Sequence, residues 1–178
     1  MYTKTSNNKL IFVGDLKSIN LEIVAKSYKQ LIKKNIKIIL IGNIVEIREY
    51  FIKIKFKIRI VELFSIEDHL NFNNRNIFIF HIGSNSVGKP NMILNQIIIS
   101  NNLSKHKSYD LITMPIDKSI IKKENNFNGV TEFLSQINYK KTFMLMRGEN
   151  FSIIPLTTHI KFKNILNEFS AVNFYKDL

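Results

Sequence analysis

Seven short apolar runs alternate with segments of helical spacing, and this alternation constrains the fold more than any other feature of the chain. The runs are rich in Ile, Leu, Val and Phe and lie at residues 10–13, 36–41, 58–63, 77–82, 111–114, 142–146 and 153–156. Consecutive apolar positions predict strands that are buried on both faces, with helices as the cover. We therefore predict an α/β fold with an open, mostly parallel sheet and flanking helices. Seven strands are many for 178 residues, so we expect some of them to be edge or hairpin strands.

Two of the intervening segments have the apolar spacing of helices. The first stripe consists of Ile19, Ile23, Tyr28, Leu31 and Ile32. The second stripe, which we expect to be more buried, consists of Met92, Leu94, Ile97, Ile98 and Leu103. Gly and Pro are rare, at 6 and 3 residues, and no linker-like stretch interrupts the pattern. We therefore expect a single α/β domain over residues 1–178.

The amino-acid composition excludes several classes of protein. The chain contains no cysteine, which rules out disulfides, thiolate catalysis and cysteine-based metal centres. Lys, Asn or Glu interrupts every apolar run well before the roughly 20 residues that a membrane span needs. The polar residues 1–9 are followed by an apolar run too short for the core of a signal peptide. We expect a cytoplasmic protein that does not associate with membranes.

The strong positive charge of the chain is better explained by codon bias than by a nucleic-acid partner. The 26 basic and 14 acidic residues give a net charge of +12, which is a value typical of nucleic-acid binders. However, Ile, Asn and Lys, whose codons are AT-rich, make up 75 of the 178 residues. The lysines are scattered and are not interleaved with stacking aromatic residues. We do not expect nucleic-acid binding, and we keep a basic nucleic-acid-binding domain only as a further alternative.

One segment resembles a nucleotide-binding loop but departs from it at an essential position. Residues 83–89 read G-S-N-S-V-G-K and lie between a predicted strand and a predicted helix. The next residue is Pro90, which has neither the hydroxyl that holds Mg²⁺ nor a backbone N–H for phosphate. Pro90 instead suits the start of a helix. The G-x-G-x-x-G fingerprint is also missing, so we expect neither NTP hydrolysis nor a dinucleotide site of the Rossmann type.

Three motifs in the second half of the chain carry a family resemblance. Residues 109–118 read Y-D-L-I-T-M-P-I-D-K, residues 127–134 read F-N-G-V-T-E-F-L, and residues 155–160 read P-L-T-T-H-I. Their order and spacing resemble those of the 4-hydroxythreonine-4-phosphate dehydrogenase family of pyridoxal phosphate biosynthesis. Chains of that family carry D-A-I-V-T-A-P-I-N-K, G-H-T-E-F and T-T-H-x-P-L. Weaker similarities are Gly88-Lys89 and the segment 14–22, which resembles the family's first loop G-D-P-A-G-I-G-P-E.

The resemblance implies a fold, an activity and a set of site residues. The implied fold is the N-terminal part of the isocitrate-dehydrogenase-like architecture. The implied activity is NAD-dependent, metal-assisted oxidation of 4-phosphohydroxy-L-threonine, followed by decarboxylation, in a homodimer or in association with another chain. His159 is implied as one of three histidines that bind a divalent metal. Thr131 is implied as a contact to the phosphorylated amino-acid substrate, and Lys118 as a contact to its phosphate.

Each of these residues also has a structural interpretation that the sequence leaves open. His159 follows two threonines at a predicted strand end, where a hydrogen-bonded histidine without a ligand is common. Thr131 suits the N-cap of the helix that follows it, and Asp117 likewise suits the cap of the helix that directly follows Asp117. Lys118 is one of 22 lysines. Val130 stands where the family has a histidine, and a valine side chain cannot donate a hydrogen bond.

The resemblance covers this chain but only about the first half of a family chain. In the family, the other two metal-binding histidines and the cofactor site lie in the second half. We therefore keep the alternative of a truncated, non-catalytic homologue or a subunit that needs a second chain. A truncated α/β sheet would expose an apolar flank, so we expect the protein to associate or to be poorly soluble.

Overall fold

The structure, a computed structural model, describes residues 7–66, 75–83, 89–107, 109–122, 127, 129–155 and 161–164. The chain divides into two compact units, Met1–Ile137 and Asn138–Leu178, and each is described by itself. The expectation of a single domain over residues 1–178 stays a prediction.

A five-stranded parallel sheet forms the centre of the first unit. Its strands are β1 (Asn8–Phe12), β2 (Lys37–Gly42), β3 (Arg59–Leu63), β4 (Asn76–His81) and β5 (Asp110–Thr113). Their order across the sheet is β3-β4-β2-β1-β5, and every neighbouring pair is parallel. The predicted mostly parallel α/β sheet is confirmed. The first five predicted strands are confirmed to within one or two residues at each end.

The described residues of this unit form five helices beside the sheet. They are α1 (Asn20–Lys33), α2 (Ile44–Lys53), α3 (Lys89–Lys107), α4 (Lys118–Lys122) and α5 (Val130–Asn138). Helix α3 begins at Lys89, so Pro90 lies in its first turn, where a missing N–H costs no helical hydrogen bond. Asn43 caps α2, because its side-chain oxygen accepts from the N–H groups of Val45 and Glu46.

Apolar side chains of the sheet are buried on both of its faces. In β2, Ile38 and Leu40 belong to a cluster with α1 and α2, and Ile39 and Ile41 belong to a cluster on the opposite face. Phe12 of β1 packs on that opposite face with apolar residues of α3 and α4. Because strand side chains alternate between faces, burial of consecutive residues requires a cover on each side. The helices on the two faces supply that cover.

The buried face of α1 differs from the predicted stripe. Ile19 precedes the helix and is 63% exposed, and Ile23 is also exposed. The side chains that face the core are those of Leu21, Val24 and Tyr28. Ile19 and Ile23 lie four residues apart, as a core stripe requires, but on the solvent side of the helix. The prediction was wrong for these two residues, because helical spacing identifies a face without stating which face meets the sheet.

The second unit contains a short antiparallel hairpin in its described part. Its strands are β6 (Met146–Arg147) and β7 (Ser152–Ile153), and a 3₁₀ turn follows at Phe162–Asn164. The hairpin confirms the expectation that some strands lie outside the parallel sheet. The predicted strand 142–146 is wrong over residues 142–145, which have no strand pairing. The predicted strand 153–156 is formed at Ile153, and residue 156 lies outside the described residues.

Candidate functional site

The strand order reverses its direction at β1, next to β5. Strand β1 lies between β2 and β5, and the chain reaches these two neighbours by connections that run in opposite directions across the sheet. In open α/β sheets, such a reversal marks the edge of the sheet at which ligands commonly bind. The two loops that follow β1 and β5 are residues 13–19, here called the β1 loop, and residues 114–117, here called the β5 loop.

Gly14 and Asn20 hold the β1 loop against the β5 loop. Gly14 has φ +68°, and a Cβ at this position would lie 2.9 Å from the carbonyl oxygen of Met114. The side-chain Nδ2 of Asn20 donates to the carbonyl oxygens of Val13 at 2.9 Å and Pro115 at 2.8 Å. The Pro115 carbonyl also accepts from the N–H of Asp15 at 3.1 Å. Since Asn20 is 1% exposed, these bonds lie in a water-poor environment, where they fix the loops most firmly.

The β5 loop leads directly into Lys118. Asp117 caps α4, because its Oδ1 accepts from the Ser119 backbone N–H at 2.9 Å and from the Ser119 hydroxyl at 2.6 Å. This confirms the structural interpretation of Asp117. Lys118 is the first residue of α4 and its side chain is exposed. Its Nζ lies 3.6 Å from the position that a Cβ on Gly129 would occupy.

The ammonium group of Lys118 therefore lies beside the start of α5. Helix α5 begins at Val130, and the Gly129 carbonyl accepts from the N–H of Phe133 at 3.0 Å. Thr131 is the second residue of the helix, so it is not the N-cap residue, and its side chain is partly exposed. A helix start carries a partial positive charge and N–H groups without helical partners. Together with a lysine ammonium, these groups favour an anion.

Glu132 brings a negative charge to the same place. Its Oε2 lies 2.5 Å from the position that a Cβ on Gly129 would occupy, so a side chain at residue 129 would collide with it. A carboxylate in the first turn of a helix is favourable for the helix itself. It also competes with a bound anion for the same positive groups. A larger residue at position 129 would therefore require the Glu132 carboxylate to move, whereas the Lys118 ammonium would be at an ordinary contact distance.

Val130, at the position of the histidine in the motif G-H-T-E-F, is partly buried and packs against the core. It contacts the cluster of Phe12, Ile97 and Phe127 on the face of the sheet that α3 covers. Phe127 and Phe133 flank it in sequence, and their rings pack with centroids 5.7 Å apart. The side chain at residue 130 thus contributes to packing and offers no polar group to a ligand.

The predicted metal ligand His159 lies outside the described residues, as do Thr157 and Thr158. Within the described ranges, no group of three or more His, Asp or Glu side chains is arranged to hold a metal ion. His81, at the end of β4, has a structural role, because its Nδ1 accepts from the N–H of Ile44 at 3.2 Å. Residues 84–88 of the loop-like segment 83–89, including Gly88, also lie outside the described residues.

Sequence reasoning missed two residues of this region, Asn20 and Glu132. The signal for Asn20 was available: in the first-loop motif G-D-P-A-G-I-G-P-E, Asn20 occupies the position of the third glycine. A polar residue in place of a glycine at a loop junction indicates that its side chain has a bonding role. Glu132 matches the glutamate of the motif G-H-T-E-F, but its position relative to Gly129 depends on how α5 begins.

A comparison with protein families decides the ancestry of the chain. Residues 18–177 match the family described as "Pyridoxal phosphate biosynthetic protein PdxA". The chain belongs to this family. A curated relative, the 4-hydroxythreonine-4-phosphate dehydrogenase of Aquifex aeolicus (strain VF5), is 38% identical over 61 residues, which are 33% of this chain and 19% of the relative. The predicted family resemblance is confirmed.

Solved structures of the PdxA family share this fold. The 4-hydroxythreonine-4-phosphate dehydrogenase of Burkholderia phymatum matches with a TM-score of 0.79 at 15% identity, over 96% of this chain and 55% of its own. The enzyme of Klebsiella pneumoniae matches with a TM-score of 0.79 at 16% identity, over 94% and 56% of the two chains. A putative enzyme of Salmonella typhimurium gives 0.77 at 17% identity, over 98% and 57%. The chain therefore spans about half the length of these solved relatives.

No helix in the part of the chain that the structure describes is long and apolar enough to cross a membrane. The longest described helix, α3, has 19 residues but contains several lysines and asparagines.

Proposed function

We propose that this PdxA-family chain binds the phosphorylated substrate of a 4-hydroxythreonine-4-phosphate dehydrogenase at the carboxyl edge of its parallel sheet. The substrate class is a phosphorylated hydroxy-amino acid, 4-phosphohydroxy-L-threonine. The reaction is its oxidation, with decarboxylation, in pyridoxal 5′-phosphate biosynthesis. Family membership supports the reaction, and the family's biosynthetic role supports a cytoplasmic location.

The observation that carries the proposal is the position of Lys118 at the start of α5. Its Nζ lies against Gly129, and Thr131 follows two residues later in the first turn of the helix. The β1 loop, through Asn20, holds the β5 loop that precedes Lys118. A phosphate at this point would meet a full positive charge, a helix start and a hydroxyl, which is a combination suited to a dianion.

The role of each residue follows from its chemistry. Lys118 neutralises phosphate charge, and the Thr131 hydroxyl donates a hydrogen bond to a substrate oxygen. Val130 supplies no hydrogen bond where the family has a histidine, and Glu132 raises the cost of bringing an anion close. We expect weaker binding than in a family member with the histidine, because a charge-assisted hydrogen bond is worth roughly 1.5–3 kcal/mol.

The proposal includes NAD and a divalent metal as cofactors, with His159 as one metal ligand. When bound, the metal would polarise the substrate oxygens and NAD would accept hydride. The described residues do not by themselves provide a metal-binding set. We therefore derive no catalytic step through either group and assign this chain the task of binding and orienting the substrate.

Binding of 4-phosphohydroxy-L-threonine, measured by isothermal titration calorimetry, tests the substrate site directly. We expect Lys118→Met and Thr131→Val each to weaken binding, by about tenfold or more for the charge-assisted contact of Lys118. Lys53→Met is the matched control, because Lys53 is an exposed lysine in the last turn of α2. Equal weakening by Lys53→Met would show that general charge attraction explains the binding, and the site would be rejected.

NADH formation by the whole chain separates the enzyme from its alternative. The assay contains 4-phosphohydroxy-L-threonine, NAD and a divalent metal, with His159→Ala as the control. Turnover that this variant abolishes would support the complete activity. Site-specific binding without turnover would favour a non-catalytic homologue or a subunit that needs a second chain.

We also propose that the protein associates, either with a second copy or with another chain. The second unit exposes many of its large apolar side chains, namely Tyr139, Phe143, Met144, Leu145, Met146, Phe151, Ile153 and Ile154. Exposed apolar surface of this extent is typical of interaction sites. Sedimentation velocity would show a species larger than a monomer, and a concentration-independent monomer would contradict this proposal.

Retention of the protein on heparin at increasing salt concentration tests the nucleic-acid alternative. A basic nucleic-acid-binding domain would bind a polyanion with an affinity that falls steeply with salt. We expect weak retention on heparin with little dependence on salt concentration beyond that of any basic protein. Tight, strongly salt-dependent retention would favour the alternative.

A further inference from the structure

The carboxylate of Glu132 lies beside the proposed phosphate contact, where a negative charge is unexpected. Glu132 is the third residue of α5, and its Oε2 lies 2.5 Å from the position of a Cβ on Gly129. The Nζ of Lys118 lies 3.6 Å from the same position, so the two charged atoms are no farther apart than these two lengths together. A carboxylate this close repels a phosphate that approaches Lys118.

The Glu132 carboxylate is available to a ligand. Its side chain is exposed, and in the part of the chain that the structure describes no hydrogen bond or ion pair engages it. Glu132 therefore does not serve to neutralise Lys118. A glutamate at the third position of a helix can cap the helix start, but glutamine caps it as well. Capping by itself does not require a charge at residue 132.

The overall charge of the chain makes a repulsive group useful for specificity. With 26 basic and 14 acidic residues, the protein attracts phosphate compounds in general. A binding site often discriminates between two ligands by a group that repels the wrong one. A carboxylate beside Lys118 disfavours compounds whose only charged group is a phosphate. It favours compounds that also carry a positive charge close to the phosphate.

A phosphorylated amino acid carries such a positive charge. In 4-phosphohydroxy-L-threonine, five covalent bonds separate the ammonium nitrogen from the phosphorus atom, a span of roughly 6 Å when extended. This span is comparable to the largest separation that the structure allows between the Lys118 Nζ and the Glu132 Oε2. Gly129 has no side chain to come between the two groups. A ligand lying across Gly129 can therefore place its phosphate at Lys118 and its ammonium group at Glu132.

We propose that Glu132 determines the specificity of this site by binding the ammonium group of the substrate. The carboxylate accepts hydrogen bonds from the ammonium group while Lys118 binds the phosphate. The site thus selects a phosphorylated compound with an ammonium group over the same compound without one. This inference rests on the proposed function, because it concerns the same site and the same substrate.

Three probes separate the contribution of the ammonium group from that of the phosphate. They are 4-phosphohydroxy-L-threonine, its analogue with a hydroxyl in place of the ammonium group, and inorganic phosphate, each titrated into the full chain by isothermal titration calorimetry. Glu132→Gln keeps the shape and the capping ability of the side chain. It should weaken binding of 4-phosphohydroxy-L-threonine by about fivefold. It should tighten binding of the analogue and of inorganic phosphate by about twofold, because a like charge is removed.

Two further variants serve as references for this experiment. Lys118→Met should weaken binding of all three probes, since each of them carries a phosphate. Glu49→Gln is the matched control, because Glu49 is an exposed glutamate on α2. It should leave the ratio of the affinities for 4-phosphohydroxy-L-threonine and its analogue unchanged.

The possible failures of the two proposals are distinguishable. If Lys118→Met weakens binding but Glu132→Gln changes the affinities for the amino acid and its analogue by the same factor, the role of Glu132 is rejected and the phosphate site is retained. An equal change of the affinity ratio in Glu49→Gln would also overturn the role of Glu132, because general charge would then explain the selectivity. Unchanged binding of all three probes in Lys118→Met would overturn both the proposed function and this inference.

Discussion

The two units of the chain treat their apolar side chains in opposite ways. In the first unit, Leu40 lies at the centre of the parallel sheet and is fully buried. In the second unit, Leu145 precedes the hairpin and is 58% exposed. The sequence gives both segments similar apolar runs, so hydrophobicity alone does not decide burial. An apolar run is buried when helices cover both of its faces, and a two-stranded hairpin offers no such cover.

The largest expected effect comes from truncating one leucine in each unit. Leu40→Ala should lower the free energy of unfolding by about 2–5 kcal/mol, because it leaves a cavity in a packed core. Leu145→Ala should lower it by much less, since the side chain already meets solvent in the folded chain. Urea denaturation measures both. Similar losses of unfolding free energy in the two variants would show that an associated chain buries Leu145 in solution, and the two units would then not differ in this respect.

The second-largest expected loss of stability comes from replacing one glycine in each unit. Gly14→Ala should cost at least about 2 kcal/mol, because the left-handed backbone alone costs roughly 1–2 kcal/mol and the new Cβ would press on the carbonyl oxygens of the β5 loop. Gly148→Ala should be milder, since Gly148 does not have a positive φ and its nearest atom lies 3.1 Å from the new Cβ. Thermal unfolding of both variants tests the difference. A milder effect at Gly14 would mean that the two loops separate readily.

Asn20 allows the connection between the two loops to be tested without changing the backbone. Asn20→Ala removes the hydrogen bonds to Val13 and Pro115, and we expect a loss of about 1–3 kcal/mol in the free energy of unfolding. Binding of 4-phosphohydroxy-L-threonine should also weaken, because Lys118 follows the released loop. Asn102→Ala on the exposed side of α3 is the control. Unchanged substrate binding in folded Asn20→Ala would separate the β1 loop from the site.

The smallest expected effect depends on pH. Burial raises the pKa of the Tyr28 hydroxyl above its ordinary value of 10.0. Above about pH 10 the unfolded chain therefore loses this proton while the folded chain keeps it, so the free energy of unfolding falls as the pH rises. Tyr28 also donates a hydrogen bond to the Asn76 carbonyl. Tyr28→Phe should lose about 1 kcal/mol at pH 8 and show a smaller further loss between pH 8 and pH 11.

Tyr139→Phe is the control for this pH experiment, because Tyr139 is 96% exposed in the second unit. A pH dependence in the Tyr28→Phe variant as steep as in the native protein would assign the alkaline loss to other groups.

The strand predictions were accurate in the first unit and less accurate in the second unit. Runs such as 36–41 and 77–82 are apolar at consecutive positions, and this property alone indicates strands that are covered on both faces. The run 142–146 has the same character, yet its first four residues form no strand, because pairing depends on a partner segment that a local pattern does not reveal.

The sequence could not predict which residues of the site contact each other, because those residues lie far apart in the chain. The motifs that include Lys118 and Thr131 were identified, but only the structure places the Lys118 ammonium against Gly129. Asn20 acts across 95 residues on the Pro115 carbonyl, and no periodicity or spacing in the sequence encodes that bond. The packing of Val130 against the cluster that contains Phe12 and Phe127 could not be predicted either, because Phe12 is more than a hundred residues away in the sequence.

The position of β1 between β2 and the edge strand β5 has a consequence for the order in which the protein folds. Lys9 of β1 forms an ion pair with Asp110 of β5, which lies 101 residues later in the chain. Pairings between such distant residues slow folding, because a long loop must close before the contact forms. At synthesis rates of roughly 5–20 residues per second, β1 waits about 5–20 seconds on the ribosome for its second neighbour. During that interval one edge of the first strand is open, and a chaperone or another nascent chain can reach it.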